Sequence, residues 1–209
     1  MAFEAGCDGV FLISMDGHDE VLLEQAVEVK ARWPRHLVGI NFLSRPPELA
    51  IEACAEAGLD MTWIDNAQVH SQQDIVLARG ISAQLQRFVD HQLFGGVAFK
   101  YQRHEPNPGL AAMRAQDLGI VSTTTGPGTG QAADVDKIAR MYRAIGGGPL
   151  AIASGVTPDN VLDYAPYLTH ILVATGVSKN EHEFDFELLC RLMGKLNTRY
   201  GTHVAETAD

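Results

Sequence analysis

The stretches FEAGCDGVFLI (residues 3–13) and AEAGLDMTWI (residues 55–64) repeat one pattern. In each, a helical segment ends at a glycine, one residue and an aspartate follow, and a short apolar run begins. Glycine ends helices well because it adopts the left-handed backbone conformation without a steric penalty. Two helices that lead directly into strands predict a chain in which the two kinds of element alternate.

This alternation continues along the whole chain. Longer segments such as EVLLEQAVEVKARW and ELAIEACAEAG place apolar residues at helical spacing, and they separate short apolar runs. Such an order predicts a parallel sheet with right-handed crossover connections. The seven predicted strands are Asp8–Met15, Leu37–Leu43, Met61–Asp65, Gly96–Tyr101, Ile120–Thr125, Leu150–Ser154 and Ile171–Thr175.

The number of strands favours a barrel with one strand missing. A closed (β/α)8 barrel has eight strands, and residues 1–6 read as the end of a helix with no strand before it. We therefore predict an α/β fold of the (β/α)8 TIM-barrel type, with seven strands visible, the first absent or lost through a misassigned start, and any gap beside Asp8–Met15. An open doubly wound sheet is disfavoured because no GxGxxG motif follows the first strand.

We expect one barrel domain over residues 1–200 and a C-terminal tail over residues 201–209. Residues 66–95 break the alternation, and we expect them to hold a long active-site loop and a helix around Ile81–Leu93.

Composition narrows the class of protein. With 209 residues and 46% hydrophobic content, the chain is long enough to bury a substantial core. The net charge of −10 argues against a nucleic-acid partner, because such binding needs a basic surface. Three cysteines without metal-like spacing predict reduced thiols in a cytoplasm, and we expect no metal site and no other cofactor. No apolar stretch approaches transmembrane length, so we expect no membrane insertion.

The stretch ASGVTPDN (residues 153–160) predicts an anion site. Thr157 suits a helix N-cap and Pro158 the first helical position, so a helix is expected to begin there, directly after a strand-end glycine that lets a ligand approach. The next strand also ends in a glycine-bearing turn, and barrels commonly bind phosphate between their last two loops. The alternative is that both glycines only make tight turns. The predicted phosphate-binding residues are Ser154, Gly155, Val156, Thr157, Thr175, Gly176 and Val177.

A second loop, TTTGPGTG (residues 123–130), follows the fifth predicted strand. Its backbone N–H groups and hydroxyls suit the binding of hydroxyl or phosphate groups, or movement as a lid, although no Gly-Lys-Ser/Thr ends it as in a Walker loop. A flexible turn is an equal alternative. The predicted loop contacts are Thr125, Gly126, Thr129 and Gly130.

Three polar residues near strand ends are candidate catalytic residues. Lys100 lies within the apolar run GVAFKY, where a barrel-mouth lysine binds an anion, polarises a carbonyl or forms an imine. Asp65 suits an acid or base, and Asn41 ends the second strand, with Asp16 beyond the first. For each residue the alternative is a structural hydrogen bond or, for Lys100, a side chain that reaches solvent.

The second half of the chain resembles the BtpA/SgcQ family of (β/α) barrels, which are grouped with the ribulose-phosphate-binding type. The resemblance covers most of the chain and is strongest from Ile120 onward. The chain departs from the family pattern at Ser44-Arg45-Pro46, where members carry Arg-Asn-Asp. The matching stretches are TTTGPGTGQAADVDKI, ASGVTPDNV, ILVATGVSK and FDFELLCRLM.

The resemblance implies one of two functions. The first is an enzyme that acts on a phosphorylated sugar or nucleotide-derived metabolite by isomerisation, lysis or glycosyl transfer, with the phosphate in the late loops and Lys100 and Asp65 at the reacting end. The second is a non-catalytic binding or assembly protein that keeps the barrel without turnover. We expect a small phosphorylated ligand and a homo-oligomer in either case.

Overall fold

The computed structural model describes residues 1–14, 18–180 and 182–200, without the side chains of residues 199 and 200. Seven strands form one parallel sheet in sequential order, with helices between successive strands. The predicted (β/α)-barrel architecture is confirmed as a curled sheet of seven strands. The division into a domain over 1–200 and a tail over 201–209 stays a prediction, and the tail lies outside the described residues.

The elements have the following bounds. The strands of the sheet are β1 Gly9–Ile13, β2 Leu37–Asn41, β3 Met61–Ile64, β4 Gln92–Gly96, β5 Val121–Thr124, β6 Leu150–Ala153 and β7 His170–Leu172. A separate antiparallel pair is formed by β8 Ser178–Asn180 and β9 Glu183–Phe184. The α-helices are α1 Asp19–Arg32, α2 Pro47–Glu56, α3 Val76–Leu85, α4 Pro108–Asp117, α5 Val135–Ala144, α6 Val161–Tyr164 and α7 Phe186–Tyr200. Three single-turn 3-10 helices are Phe3–Ala5, Ala165–Tyr167 and Thr175–Val177.

Aromatic contacts across the sheet show that it curls. Phe11 of β1 contacts Phe94 of β4 edge to face at 5.3 Å, and Phe94 contacts His170 of β7 at 4.9 Å between ring centroids. These strands are not neighbours in the sheet, so the rings meet only if its inner face is concave. The inward side chains of alternate residues therefore form a barrel interior.

The outward side chains of the same strands pack against the helices. Val38 and Ile40 of β2 share a buried cluster with Leu22 of α1 and Ala50 of α2. A larger cluster continues this layer under α3, α4, α5 and α7. This helix-covered core positions the carboxyl ends of all seven strands at one face.

The strands β1 and β7 are the two edges of this sheet, and β1 pairs only with β2 among the described residues. The predicted gap beside the first strand is therefore present. The expectation that a neighbouring subunit or a rearranged terminus covers this edge stays a prediction.

Several predicted boundaries differ from the structure, and three of the differences are the largest. The fourth strand is Gln92–Gly96 and not Gly96–Tyr101, because Ala98 and Tyr101 adopt left-handed backbone angles (φ 48° and 61°) that end the extended chain. The helix expected around Ile81–Leu93 is α3, Val76–Leu85, and Leu93 belongs to β4. The helix expected at Thr157 begins only at Val161.

None of the described helices combines the length and apolar character that crossing a membrane requires.

Candidate functional site

The loops after β5 and β6 are joined at the mouth of the barrel. The Gly130 N–H donates to Ser154 Oγ at 3.0 Å. A side chain at Gly155 would overlap the Gln131 carbonyl oxygen, and its backbone is left-handed with φ +71°. Only glycine satisfies both conditions, so the space next to Gly155 is filled by protein backbone and is not left for a ligand.

The loop after β7 joins the same group. A side chain at Gly176 would overlap the Val156 carbonyl oxygen, so these two loops also meet backbone to backbone. Thr175 Cγ2 lies 3.9 Å from the point where a Cβ on Gly130 would stand. The three loops that the sequence singled out separately therefore form one surface, which we call the glycine-loop side of the mouth.

No helix begins at Thr157, so the predicted anion site does not lie at a helix N-terminus, and the binding of an anion by these loops stays a prediction. Residues 157–160 form a turn in which Asn160 Oδ1 accepts from the Thr157 N–H at 2.8 Å and Asn160 Nδ2 donates to the Gly155 carbonyl at 2.9 Å. The Thr157 hydroxyl accepts from the Asp159 N–H. Because Asn160 satisfies the Thr157 amide, that amide is not an open anion donor. The Val177 N–H is likewise engaged, with the Ala174 carbonyl.

Lys100 lies on the glycine-loop side. Its ammonium donates to Thr129 Oγ1 at 3.1 Å, and the Tyr101 hydroxyl lies 3.4 Å from the same oxygen. In the described part of the chain, no ion pair joins Lys100 to Asp65. The exposed polar rim of this side consists of Thr129, Gly130 and Thr175, with Lys100 half-buried beside them.

The remaining predicted contacts on this side are buried. The Thr125 hydroxyl accepts from the Lys100 N–H and donates to the Gly126 carbonyl, both at 2.8 Å, and the residue is fully buried. Val156 and Val177 are also buried, so only their backbone could meet a ligand. A side chain at Gly126 would overlap the Gln131 carbonyl oxygen. The ligand contacts predicted for these residues stay predictions, while their packing role is visible.

The opposite part of the mouth is built from side chains on β2 and β3. Asn41 ends β2 and is almost fully buried, and its Nδ2 donates to Asp65 Oδ1 at 3.0 Å. Asp65 follows β3 and is exposed. Trp63, two residues earlier, points into the barrel beside Phe11 at 5.6 Å and Phe99 at 6.4 Å. We call Asn41, Trp63 and Asp65 the Asn41 side of the mouth.

The sequence interpretation missed Lys137. This half-buried residue lies in the first turn of α5, and its ammonium donates to the carbonyls of Ala98 at 3.0 Å and Thr125 at 2.6 Å. Burial lowers its pKa from 10.5 to about 8, while the nearby Asp134 opposes the shift. Lys137 therefore ties the loops after β4 and β5 together. No sequence signal separates such a lysine from a solvated one.

Backbone strain also concentrates at the mouth. The four described residues other than glycine with positive φ follow strands β3, β4 and β6, and strain of this kind costs on the order of 1–3 kcal/mol for each residue. These residues are Gln68 (φ 56°), Ala98 (φ 48°), Tyr101 (φ 61°) and Ser154 (φ 68°).

A buried cluster of Ser71, His70 and Glu105 resembles a catalytic triad but is structural. The Glu105 carboxylate accepts from the Ser71 N–H, the Ser71 hydroxyl and the Asn107 N–H. His70 Nδ1 accepts from the Gln72 N–H, so Nε2 carries the proton and donates to the His104 carbonyl at 3.1 Å. No hydrogen bond joins His70 to Ser71 among the described residues, so the chain of contacts that a catalytic triad requires is not formed. The cluster fastens the long loop after β3 to the loop after β4.

Two further points concern expected ligands. The described residues contain no group of three or more His, Cys, Asp or Glu side chains arranged to hold a metal ion. Asp16, considered beside Asp65, lies outside the described residues.

Known structures share this fold. One is phosphoribosyl anthranilate isomerase from Thermus thermophilus, at 17% identity over 95% of this chain and 92% of that chain, with a TM-score of 0.69. Another is 3-keto-L-gulonate-6-phosphate decarboxylase from Vibrio cholerae, at 12% identity over 94% and 88% of the two chains, with a TM-score of 0.64. At this identity the likeness establishes the barrel fold alone.

A third structure is a phosphoribosyl anthranilate isomerase in complex with reduced 1-(o-carboxyphenylamino)-1-deoxyribulose 5-phosphate (15% identity, 94% and 91% of the chains, TM-score 0.67). No protein-family model matches the chain, and no curated protein matches it. Membership of the BtpA/SgcQ family, and of the ribulose-phosphate-binding type with which that family is grouped, stays a prediction.

Proposed function

We propose that this chain is an enzyme that binds a phosphorylated sugar or nucleotide-derived metabolite at the carboxyl face of its barrel. The glycine-loop side holds the phosphate, and the Asn41 side meets the reacting part of the molecule. The reaction class is isomerisation, lysis or glycosyl transfer. A BtpA/SgcQ-type origin, a cytoplasmic location and a homo-oligomeric state belong to the same proposal.

One observation carries this proposal: the loops after β5, β6 and β7 meet in one surface, with the Lys100 ammonium at its rim. In (β/α)8 barrels, phosphate sites are frequently formed by the loops after the last two strands and by a short extra helix. Here the 3-10 helix Thr175–Val177 follows β7 at that place. The neighbouring structures named for phosphorylated compounds support the same class of ligand.

The donors differ from those that the sequence suggested. Because the Thr157 and Val177 amides are engaged within the protein, the phosphate is held mainly by the Lys100 ammonium and by the exposed hydroxyls of Thr129 and Thr175. A charge-assisted hydrogen bond from an ammonium to a phosphate is about twice as strong as a neutral one. Lys100 is therefore a phosphate-binding residue in this proposal, and not the partner of Asp65.

Asp65 is the acid or base of the proposal. Its carboxylate is exposed at the mouth, and the Asn41 amide fixes one of its oxygens. In this proposal the other oxygen accepts a proton from the ligand or returns it.

Calorimetry tests the phosphate site directly. We expect ribose 5-phosphate to bind and ribose to bind at least about tenfold more weakly, since the phosphate contributes the charged hydrogen bonds. Lys100→Met should weaken ribose 5-phosphate binding by about tenfold and leave the free energy of unfolding unchanged. The control Arg87→Met also removes one positive charge, from an exposed pair with Glu52 outside the mouth, and should leave binding unchanged. Equal affinity for the two sugars would exclude the phosphate site.

A specific observation favours the second candidate, a non-catalytic binding or assembly protein. Among the described residues, β1 and β7 each pair with only one strand of the sheet, and such edge strands suit pairing with another chain. Turnover separates the two candidates. Conversion of a panel of ribose, ribulose and glucose phosphates is followed by phosphorus NMR. A protein that binds phosphorylated sugars but converts none of them would favour the second candidate.

A further inference from the structure

Two buried polar atoms of the Asn41 side have no hydrogen-bond partner in the described structure. They are Asn41 Oδ1 and Trp63 Nε1. Asn41 and Trp63 are direct Cα partners in the pairing of β2 with β3, so their inward side chains lie at the same level of the barrel. One atom is an acceptor and the other is a donor.

The orientation of the Asn41 amide is determined by its neighbour. Asp65 Oδ1 is an acceptor, so the group that faces it at 3.0 Å must be the amide nitrogen. The amide oxygen is therefore directed elsewhere. A buried acceptor and a buried donor without partners are both costly, and native proteins usually satisfy such groups with protein, water or ligand.

We propose, on the basis of the phosphate site proposed above, that Asn41 Oδ1 and Trp63 Nε1 together bind one hydroxyl group of a phosphorylated sugar. A hydroxyl accepts from the indole N–H and donates to the amide oxygen at the same time. A carboxylate or phosphate oxygen satisfies only the indole, and an ammonium satisfies only the amide. The pair therefore selects a neutral polyol group, next to the carboxylate of Asp65.

The surroundings suit a sugar. The Trp63 ring contacts Phe11 and Phe99 edge to face, so the walls beside the polar pair are aromatic and apolar. Such walls pack against the C–H groups of a sugar while its hydroxyl meets the polar pair. The phosphate, at the glycine-loop side, and the hydroxyl, at the Asn41 side, would then fix both ends of one ligand.

Matched affinities of a phosphorylated sugar and of phosphate alone test this pair. The probes are ribose 5-phosphate, ribulose 5-phosphate, glucose 6-phosphate and inorganic phosphate, measured by calorimetry on the full chain. We expect Trp63→Phe, which keeps an aromatic ring and removes the donor, to weaken the best-bound sugar phosphate by about fivefold, the value of one hydrogen bond. Inorganic phosphate should bind the variant and the parent equally. Trp33→Phe, which changes the other tryptophan of the chain, is the control and should change neither affinity.

A double-mutant cycle distinguishes one shared hydroxyl from two separate sites. Asn41→Leu should cause a similar loss, and the Asn41→Leu/Trp63→Phe variant should lose little more than either single variant, because one hydroxyl bridges both atoms. Fluorescence of Trp63 in the Trp33→Phe background should change with the sugar phosphate and stay constant with inorganic phosphate.

The outcomes separate this inference from the proposed function. An unchanged ratio of sugar phosphate to inorganic phosphate affinity in Trp63→Phe overturns the hydroxyl site and leaves the phosphate site intact. Additive losses in the double variant, or a bound water that stays on the pair when the sugar phosphate is present, also overturn it. If no phosphorylated probe binds the parent protein, the proposed function and this inference fail together.

Discussion

The two sides of the barrel mouth are built in different ways. On the glycine-loop side, three loops meet backbone to backbone, and buried polar groups such as the Thr125 hydroxyl have partners within the protein. On the Asn41 side, side chains on two strands leave one donor and one acceptor without partners. The loops of the first side are therefore held by contacts within the protein, whereas the second side has a buried donor and a buried acceptor that no described protein group satisfies.

The largest effect is expected at the loop junction. Gly155→Ala places a Cβ against the Gln131 carbonyl at a left-handed φ, and it should lower the free energy of unfolding by on the order of 3 kcal/mol. The matched control Gly194→Ala lies in α7, where a Cβ meets nothing within 4 Å, and it should raise the free energy by about 0.5–1 kcal/mol. Urea unfolding measures both. Equal changes in the free energy of unfolding for the two variants would show that position 155 does not require glycine.

The second prediction compares a buried polar residue of the glycine-loop side, Thr125, with one of the Asn41 side, Asn41. Thr125→Val removes a hydroxyl that both accepts and donates, and should cost about 2 kcal/mol. Asn41→Leu removes one hydrogen bond, to the exposed Asp65, together with an amide oxygen that has no partner among the described residues, and should cost about 1 kcal/mol or less. Chemical denaturation of both variants gives the difference. If Asn41→Leu proves as destabilising as Thr125→Val, the Asn41 side is structural and its polar atoms are not held for a ligand.

The pH dependence of stability should carry the signature of Lys137. Its pKa is about 8 in the folded chain, against an ordinary value of 10.5, because the ammonium is buried. Between these values the unfolded chain binds more protons at this site than the folded chain does, so the contribution of Lys137 to stability rises with pH from about 8 to 10.5. The difference in free energy of unfolding between the parent and Lys137→Met should therefore shift in favour of the parent across that range. A flat difference would show that Lys137 is solvated.

The smallest effect is expected from relief of backbone strain. Ala98→Gly removes the left-handed strain at φ 48° but adds freedom to the unfolded chain, so the net change should be within about 1 kcal/mol and on the stabilising side. Ala111→Gly, at a buried position of regular helix α4, should cost about 1 kcal/mol or more. Thermal unfolding distinguishes the opposite signs. The same loss at both positions would show that Ala98 is not strained.

The two sides were also predictable to different degrees. The glycine loops could be read from the sequence because each is a contiguous motif directly after a strand, and their convergence follows from barrel topology. The pairing of Asn41 with Trp63 could not be read from the sequence, because it depends on the register between β2 and β3. The two residues are 22 positions apart in the sequence. Lys137 was missed because a lysine in the first turn of a helix usually lies in solvent.

The fourth strand was predicted at the wrong place because the residues that follow it are apolar. Val97 and Phe99 are buried, and together with their neighbours they resemble a strand, although the chain has already turned at Ala98. The helix expected at Thr157 does not form, because Asn160 closes a local turn there. A side chain that bonds the nearby backbone competes with helix formation.

The open edge of the sheet has a consequence for how this chain folds. Every strand pairs only with the strand before or after it in the sequence, so each sheet contact closes a loop of a single strand–helix–strand unit. In a closed barrel the last pairing must join the two ends of the chain, which is the contact of greatest sequence separation. Here the ends meet through α7, which packs on the 3-10 helix Phe3–Ala5. Because local contacts form faster than distant ones, the strand pairings are able to form unit by unit, as in a repeat protein. The Phe11–Phe94 and Phe94–His170 contacts and the docking of α7 on Phe3–Ala5 are then long-range steps.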